Sequence, residues 1–435
     1  MVSGGTYGTE EIIHGAGYGR GILILLFLPI LWCLPTAFMI GELSSALPQE
    51  GGYYAWVRRG LGNFWGFQEA WLSLAASIFD MAIYPTLFVI YLKQMAPWFG
   101  VGNHGIYAGL FVVVTCAALN LAGIRVVGIT SLWLFFLLSL PFAIVVVMAP
   151  FQAGAVAEPQ TASAGVGVGL LGGVLVAMWN YMGWDNASTI AQEVERPQRT
   201  YPKAMIAAVV LVSLTYVLPF LAVYFAATPA SSFTEGSWAT VAGAIGGKIM
   251  GFEWLRFFIV LGGMMSAFGM FNALVMSYSR LPLAMAWDGM LPKIFGKTSR
   301  RTNAPWFAIL MCATCWALCL GLGFSRLITL DIMLYGLSLS LEFVTLVVLR
   351  VREPNLKREF KVPGGMAGVI LVGVFPLSLL GIALAKSQSE EVLGMNGLLF
   401  GALIILAGFA AYGATSRLRR KAEGTPAKFA ESETA

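Results

Sequence analysis

The chain has 435 residues, 58% of them hydrophobic and only 11% charged, with a formal net charge of +5 and a mean hydropathy of +0.77. That composition excludes a soluble globular domain and points to an integral membrane protein, and basic residues scattered among short loops exclude a nucleic-acid surface. Cys33, Cys116, Cys312, Cys315 and Cys319 all fall in apolar segments and read as small hydrophobes, while His14 and His104 are too few for a histidine metal centre.

The opening stretch "VSGGTYGTEE" is polar and glycine-rich, and the first apolar run, "GILILLFLPILWCLPTAFMI", is too long for a signal peptide and lacks a small-residue cleavage site. Apolar runs of about 20 residues, the length that crosses roughly 30 Å of hydrocarbon, then recur along the chain. They predict helices near 20–46, 64–95, 106–123, 126–149, 166–192, 203–227, 254–287, 304–323, 327–350, 366–386 and 395–414, eleven complete spans in all. The connections alternate in charge. "RRG", "IRVVG", "ERPQRTYPK", "PKIFGKTSRR", "RVREPNLKREFK" and the tail "SRLRRK" are basic, whereas "FGVGNHG", "QAGAVAEPQTASAG" and "KSQSEEVLG" are neutral or acidic. The positive-inside rule puts the basic set, with the C-terminal tail, in the cytoplasm of a multi-pass cell-membrane protein. Counting back through eleven spans places Gly17 to Gly21 outside, so residues 1 to 16 rise from within the bilayer. The opening stretch is therefore expected to be the second part of a first span whose earlier half lies outside this sequence.

Ionisable residues inside a span are costly unless they face a cavity, which makes each a functional candidate. In "VAMWNYMGWDNASTIAQEVERPQRTYPKAM", Asn180, Gly183, Asp185 and Asn186 lie near mid-span, and a helix-interior glycine favours a local break. A broken helix exposes N–H and C=O groups that bind a charged solute. The opening stretch has the same character five spans earlier, the spacing of two inverted five-helix repeats. In the 64–95 span, Glu69, Ser73, Ser77, Asp80 and Tyr84 recur every three or four residues and form one polar helix face. Asp80 is read as handling substrate or protons, or else as an interhelical bond. Asp331, Tyr335, Ser338 and Glu342 make a second such stripe, with Glu342 read as a proton site or as a partner of Arg350 or Arg352. Gly262, Ser266, Gly269, Ala273 and Ser277 form a small-residue stripe suited to close helix packing. "GAGYGRG" lacks the βαβ context of a nucleotide loop. Neither a catalytic constellation nor a metal triad appears, so no enzyme activity and no cofactor are expected.

These residues carry a resemblance. The stretches "VSGGTYGTEE", "LPQEGGYYAWVRRGLGNFWGFQEAW", "IFDMAIYPTLFVIYL", "MWNYMGWDNASTIAQEVERPQRTYPKA", "DGMLPKIFGKTSRRTNAPW" and "LEFVTLVVLRVREPNLKREFKVPGG" together resemble the amino acid–polyamine–organocation superfamily, most closely the polyamine-uptake permeases of plants and their bacterial relatives. The resemblance implies twelve helices: two inverted repeats (1–150 with the first helix truncated, 166–350), two peripheral helices (366–414) and a tail (415–435). It implies alternating access around a midplane site, with Ser3, Gly4 and Gly5 as the unwound first-helix segment and Trp179, Asn180 and Tyr181 as the sixth-helix one. Trp179 resembles a gating aromatic, and Asp185 stands where relatives have an acid implicated in proton coupling. Glu50, Gly51 and Gly52 belong to a loop signature and are expected to be conformational, not substrate-contacting. The fifth span lacks the lysine that several relatives use in place of sodium, which leaves sodium as an alternative coupling ion. The expected function is proton-coupled uptake of a polyamine or an amino acid, with Asp80 and Tyr84 also in the substrate site and Asp185 and Glu342 in coupling. An exchanger and a transporter-like sensor are the other readings.

Overall fold

A computed structural model describes residues 5–49, 51–123, 129–152, 168–186, 188, 194–250, 254–392 and 394–423. Among these residues it is all-α apart from one hairpin of two two-residue strands. Helix α1 (Glu10–Leu28) is two helices in one, because Gly17 sits at φ 71°, ψ 172° and breaks the ladder between a short half-helix and a long one. The long one continues through a π-helical turn at Pro29–Cys33 into α2 (Leu34–Ala46). Then follow α3 (Gly52–Leu61), α4 (Asn63–Met95), α5 (His104–Leu121), α6 (Ile129–Met148) and α7 (Val168–Asn180). The second half holds α8 (Pro197–Phe225), α9 (Trp238–Met250), α10 (Trp254–Trp287), α11 (Trp306–Leu318) and α12 (Phe324–Arg352). The chain ends with α13 (Gly365–Ser387), the hairpin β1 (Glu391–Val392) and β2 (Met395–Asn396), and α14 (Gly397–Glu423).

Among the described residues, eight helices are long and apolar enough to span a membrane, and Phe136–Met148, Gly169–Asn180 and Trp306–Leu318 are shorter apolar helices. Each expected span has a counterpart. The expected 166–192 span is the one that changes character: its helix stops at Asn180, and Gly183 follows at φ 89°. Two helices were not anticipated. In α9 the apolar run is too short to register as a span. In α3, Gly52 to Val57 are buried while Arg58 and Arg59 follow at its end, so the segment reads from sequence as a charged loop.

The packing pairs elements across the chain. The half-helix of α1 packs on α7, α2 on α8, α4 on α10 and α5 on α11, while α12 lies along α4 and α13 backs α12. Where α1 meets α7 the backbones touch. A Cβ on Gly15 would run into the carbonyl oxygen of Gly169, and the reverse holds, as small-residue packing requires.

The basic face of the bundle is stapled by the arginines that report topology. Glu42 on α2 is fully buried and takes Arg350 on both carboxylate oxygens at 2.6 Å, Arg358 Nε at 3.1 Å and the Val362 N–H at 2.7 Å. Arg59 of α3 forks onto Glu353 at 3.0 and 2.8 Å, which holds the Glu353 carboxyl below its ordinary range, and Arg58 pairs with Asp288 at the end of α10. The two kinds of staple differ in worth. Removing one partner of a buried pair strands a charge and costs about 3–5 kcal/mol, whereas an exposed pair contributes about 1 kcal/mol or less. Glu42→Ala is therefore expected to lower the thermal unfolding midpoint in nanodiscs several times more than Glu353→Ala does; equal shifts would refute the ranking.

Candidate functional site

Two breaks define the site. Ser3 and Gly4 lie outside the described residues, and the described part of the first break is residues 5–8. Residues 5–8 form turns, with Gly5 at φ 66° and Gly8 at φ 85°, conformations that glycine alone adopts without strain. Thr6 Oγ1 donates to the Thr215 carbonyl at 2.9 Å, anchoring this turn to α8. At the second break, the carbonyls freed by the end of α7 are paired by side chains. Tyr216 O–H donates to Asn180 O at 2.9 Å and Trp184 Nε1 to Tyr181 O at 2.6 Å. Tyr181 O–H donates to Leu25 O at 3.0 Å, and the Asn180 amide returns to Val176 O at 2.9 Å. The side chains of Asn180 and Tyr181 thus hold the break in shape.

Between the breaks lies Asp80 of α4, 2% exposed. Its Oδ1 accepts from Trp179 Nε1 at 3.2 Å and Tyr84 O–H at 3.3 Å, and its Oδ2 from Tyr278 O–H at 3.0 Å. Tyr278 in turn accepts from the Asn186 amide at 3.3 Å. The Trp179 ring is wedged between Tyr84, 6.0 Å away, and Phe324, 5.6 Å away and edge-on. Phe324 and Trp179 also crowd Gly8: a Cβ there would lie 2.9 Å from the Phe324 ring and 3.6 Å from Trp179. One aromatic cluster therefore joins Asp80 to both breaks. Asp185, 3% exposed, sits just beyond the second break and accepts from Tyr335 O–H of α12 at 2.7 Å.

The polar face of α4 has three levels. Glu69, Asp80 and Tyr91 are spaced eleven residues apart, about three turns and 16 Å per step, so all three share a face. At one end Tyr91 O–H donates to Glu10 Oε1 at 2.6 Å; at the other Ser73 O–H donates to Glu69 Oε1 at 2.7 Å. Helix α12 runs antiparallel with Asp331 and Glu342 eleven residues apart. Both oxygens of Asp331 and of Glu342 lack hydrogen-bond partners. The sequence allowed Glu342 to pair with Arg350 or Arg352. Instead Arg350 is held by Glu42, and Arg352 donates to Gly60 O at 3.1 Å.

Three contributors escaped sequence reasoning. Tyr278 and Tyr91 look like any aromatic in an apolar span, and Glu10 was visible only as an acid near the first glycines. A mid-helix tyrosine hydroxyl, which needs a partner once buried, was the available signal. A cavity of about 760 Å³ opens beside the first break, lined by Gly5, Thr6, Tyr7, Phe142, Tyr216 and Ser266 among mostly apolar residues. Neither Asp80 nor Trp179 reaches it, so the Asp80 cluster is closed off from this space.

Gly8 and Gly17 separate two effects, since both have positive φ but a Cβ on Gly17 meets nothing within 4 Å. Gly8→Ala is expected to destabilise by at least about 1 kcal/mol beyond Gly17→Ala in thermal unfolding, and equal losses would contradict the crowding seen at Phe324.

The family model for amino acid permeases matches residues 1–410. Polyamine transporter RMV1 of Arabidopsis thaliana is 34% identical over 397 residues, covering 90% of this chain and 79% of that protein. Polyamine transporter PUT1 of Oryza sativa subsp. japonica is 35% identical over 392 residues, 89% of this chain and 71% of that protein. The serine/threonine exchanger SteT of Bacillus subtilis (strain 168) is more distant, 25% identical over 366 residues, with 81% of this chain and 80% of that protein covered.

Proposed function

The chain belongs to the amino acid permease family and is a multi-pass membrane transporter of amino acids or polyamines, and we propose that it imports a polyamine by proton-coupled alternating access. The observation that carries the choice of a cation is Asp80. It is a buried carboxylate between two broken helices, whose hydrogen bonds come from the neutral donors Trp179, Tyr84 and Tyr278. An arriving ammonium supplies the opposite charge that these neutral donors lack, pairing an ionised donor with the ionised acceptor, and the Trp179 ring covers it by cation–π contact.

The first break speaks against a substrate carboxylate. Half-helix N-termini attract anions, but the first turn of α1 carries Glu10 and Glu11, and Glu10 is buried with Oε2 unpartnered. An amino acid would bring its carboxylate toward two acids. A polyamine brings only cations, in keeping with the plant relatives, which are named polyamine transporters.

In this reading Ser3, Gly4 and Gly5 belong to the first unwound segment, whereas Trp179 and Asn180 close helix α7 and Tyr181 opens the second break; Tyr216 and Trp184 already take the Asn180 and Tyr181 carbonyls, so the ammonium is received by the Asp80 carboxylate. Asp185 takes up and releases the driving proton, with Glu342 as a second coupling group and sodium as the alternative ion. The bundle is two inverted five-helix repeats, a reading supported by the pairing of α1 with α7, α2 with α8, α4 with α10 and α5 with α11. The basic face is cytoplasmic, as is the C-terminus, and the protein resides in the cell membrane.

Uptake of labelled putrescine, spermidine and a panel of amino acids into proteoliposomes, with and without an imposed pH gradient, tests this. Putrescine or spermidine is expected to accumulate in preference to serine and to respond to the gradient. Asp185→Asn is expected to abolish the response, and a response left intact would overturn the role given to Asp185.

A further inference from the structure

Beyond Asp80 toward the basic face, a second group of buried acids has no evident countercharge. Glu69 of α4 is fully buried, Glu342 of α12 is 1% exposed, and Tyr53, in the first turn of α3, is fully buried. The free polar atoms here are Glu69 Oε2, both Glu342 oxygens and the Tyr53 hydroxyl, none of which has a hydrogen-bond partner. The charges that reach the Tyr53 hydroxyl are those of Glu69, Asp185 and Glu342. Glu342 in turn feels Asp185 and Glu69. Acids from three elements therefore lie within electrostatic reach of one phenol, none of them hydrogen-bonded to it.

Among the described residues, no cation is paired with these acids. Ser73 bonds Glu69, Tyr335 bonds Asp185, and Tyr278 of α10 lies within reach of the charge of Asp185 but donates to Asp80. Arg350, two turns beyond Glu342 on α12, is held by Glu42 of α2, and Arg58 and Arg59 of α3 are held by Asp288 and Glu353. A buried carboxylate with neither cation nor donor costs several kcal/mol, so the balancing charge comes from outside the protein. The group is packed closed, and a proton enters such a site without displacing side chains.

We infer that Tyr53, Glu69 and Glu342 extend the Asp185 centre into one proton-exchanging cluster on the basic side of the substrate site, with Tyr53 as its hub. This rests on the proton-coupled reading above. No hydrogen bond joins Tyr53 to these acids in this structure, so transfer waits on a movement that brings them into contact; the Tyr53 oxygen then takes the proton leaving Asp185 as its own hydroxyl proton passes to Glu69 or Glu342, and no net charge stays on the phenol. Tyr53 belongs to α3, the helix pinned to the basic face by Arg58 and Arg59, and Gly52 beside it abuts Ser188 just past the second break. Movement of the broken segment against α3 thereby opens or closes the route from the cluster to the basic face.

The test separates net proton-driven flux from exchange. The full chain in proteoliposomes is assayed for pH-gradient-driven uptake of labelled putrescine and for putrescine counterflow without a gradient, in the wild type and in Tyr53→Phe and Glu69→Gln. Gradient-driven uptake is expected to fall roughly tenfold or more in each variant while counterflow stays at the wild-type level, and the pH profile of uptake flattens. Because the groups form one cluster, Glu69→Gln with Glu342→Gln is expected to lose no more than either alone. If the wild type responds to the gradient and both variants respond equally well, the cluster is wrong and the coupled reading stands. If both assays fall together in the variants, the residues serve structure and the proposal is overturned. If the wild type ignores the gradient, the coupled reading fails and takes the cluster with it.

Discussion

A helix that stops inside a bilayer leaves backbone groups with no water to pair with, and each unpaired group costs several kcal/mol. The architecture answers this at two places. At the first break Thr6 ties the turn to α8; at the second, Tyr216, Trp184 and Tyr181 supply hydroxyl and indole donors that hold the end of α7 and its neighbours in place. The close contact of Gly15 with Gly169 sets the two broken segments side by side. Asp80, through Trp179, Phe324 and Gly8, then links them. With the breaks held, backbone and side-chain polarity converge at one place in an otherwise apolar bundle.

The same economy of pairing explains where the acids sit. Glu42 is matched by two arginines and belongs to structure. Asp80, Asp185, Glu10, Glu69 and Glu342 are buried to a similar degree, yet hydroxyls, one indole or nothing answer them. A carboxylate already neutralised by arginine has little to offer a passing cation. One left to neutral donors has its Coulomb energy still to be satisfied, which is why we propose a transport role for the acids of α4 and α12.

Much of this was legible in the sequence. The three-and-four spacing of Glu69, Ser73, Ser77, Asp80 and Tyr84 announced a polar face because every residue between them is apolar, and Gly183 and the opening glycines announced breaks. What stayed hidden depends on distant pairing. Tyr91 meets Glu10 across 81 positions and Tyr278 meets Asp80 across 198, and neither tyrosine carries a local mark of its partner. Glu342 shows the opposite hazard, since nearby arginines suggested a partner in sequence that the fold assigns to Glu42, 308 positions from Arg350. Helix α3 was missed because its terminal arginines masked an otherwise buried helix.

Everything turns on Asp80 as the seat of the substrate's ammonium group, and equilibrium binding of labelled putrescine to the purified protein tests it most directly. The wild type is predicted to bind saturably and Asp80→Asn to weaken binding by roughly tenfold or more, the loss of a charge-assisted bond. Binding that is equally tight in Asp80→Asn would contradict the account.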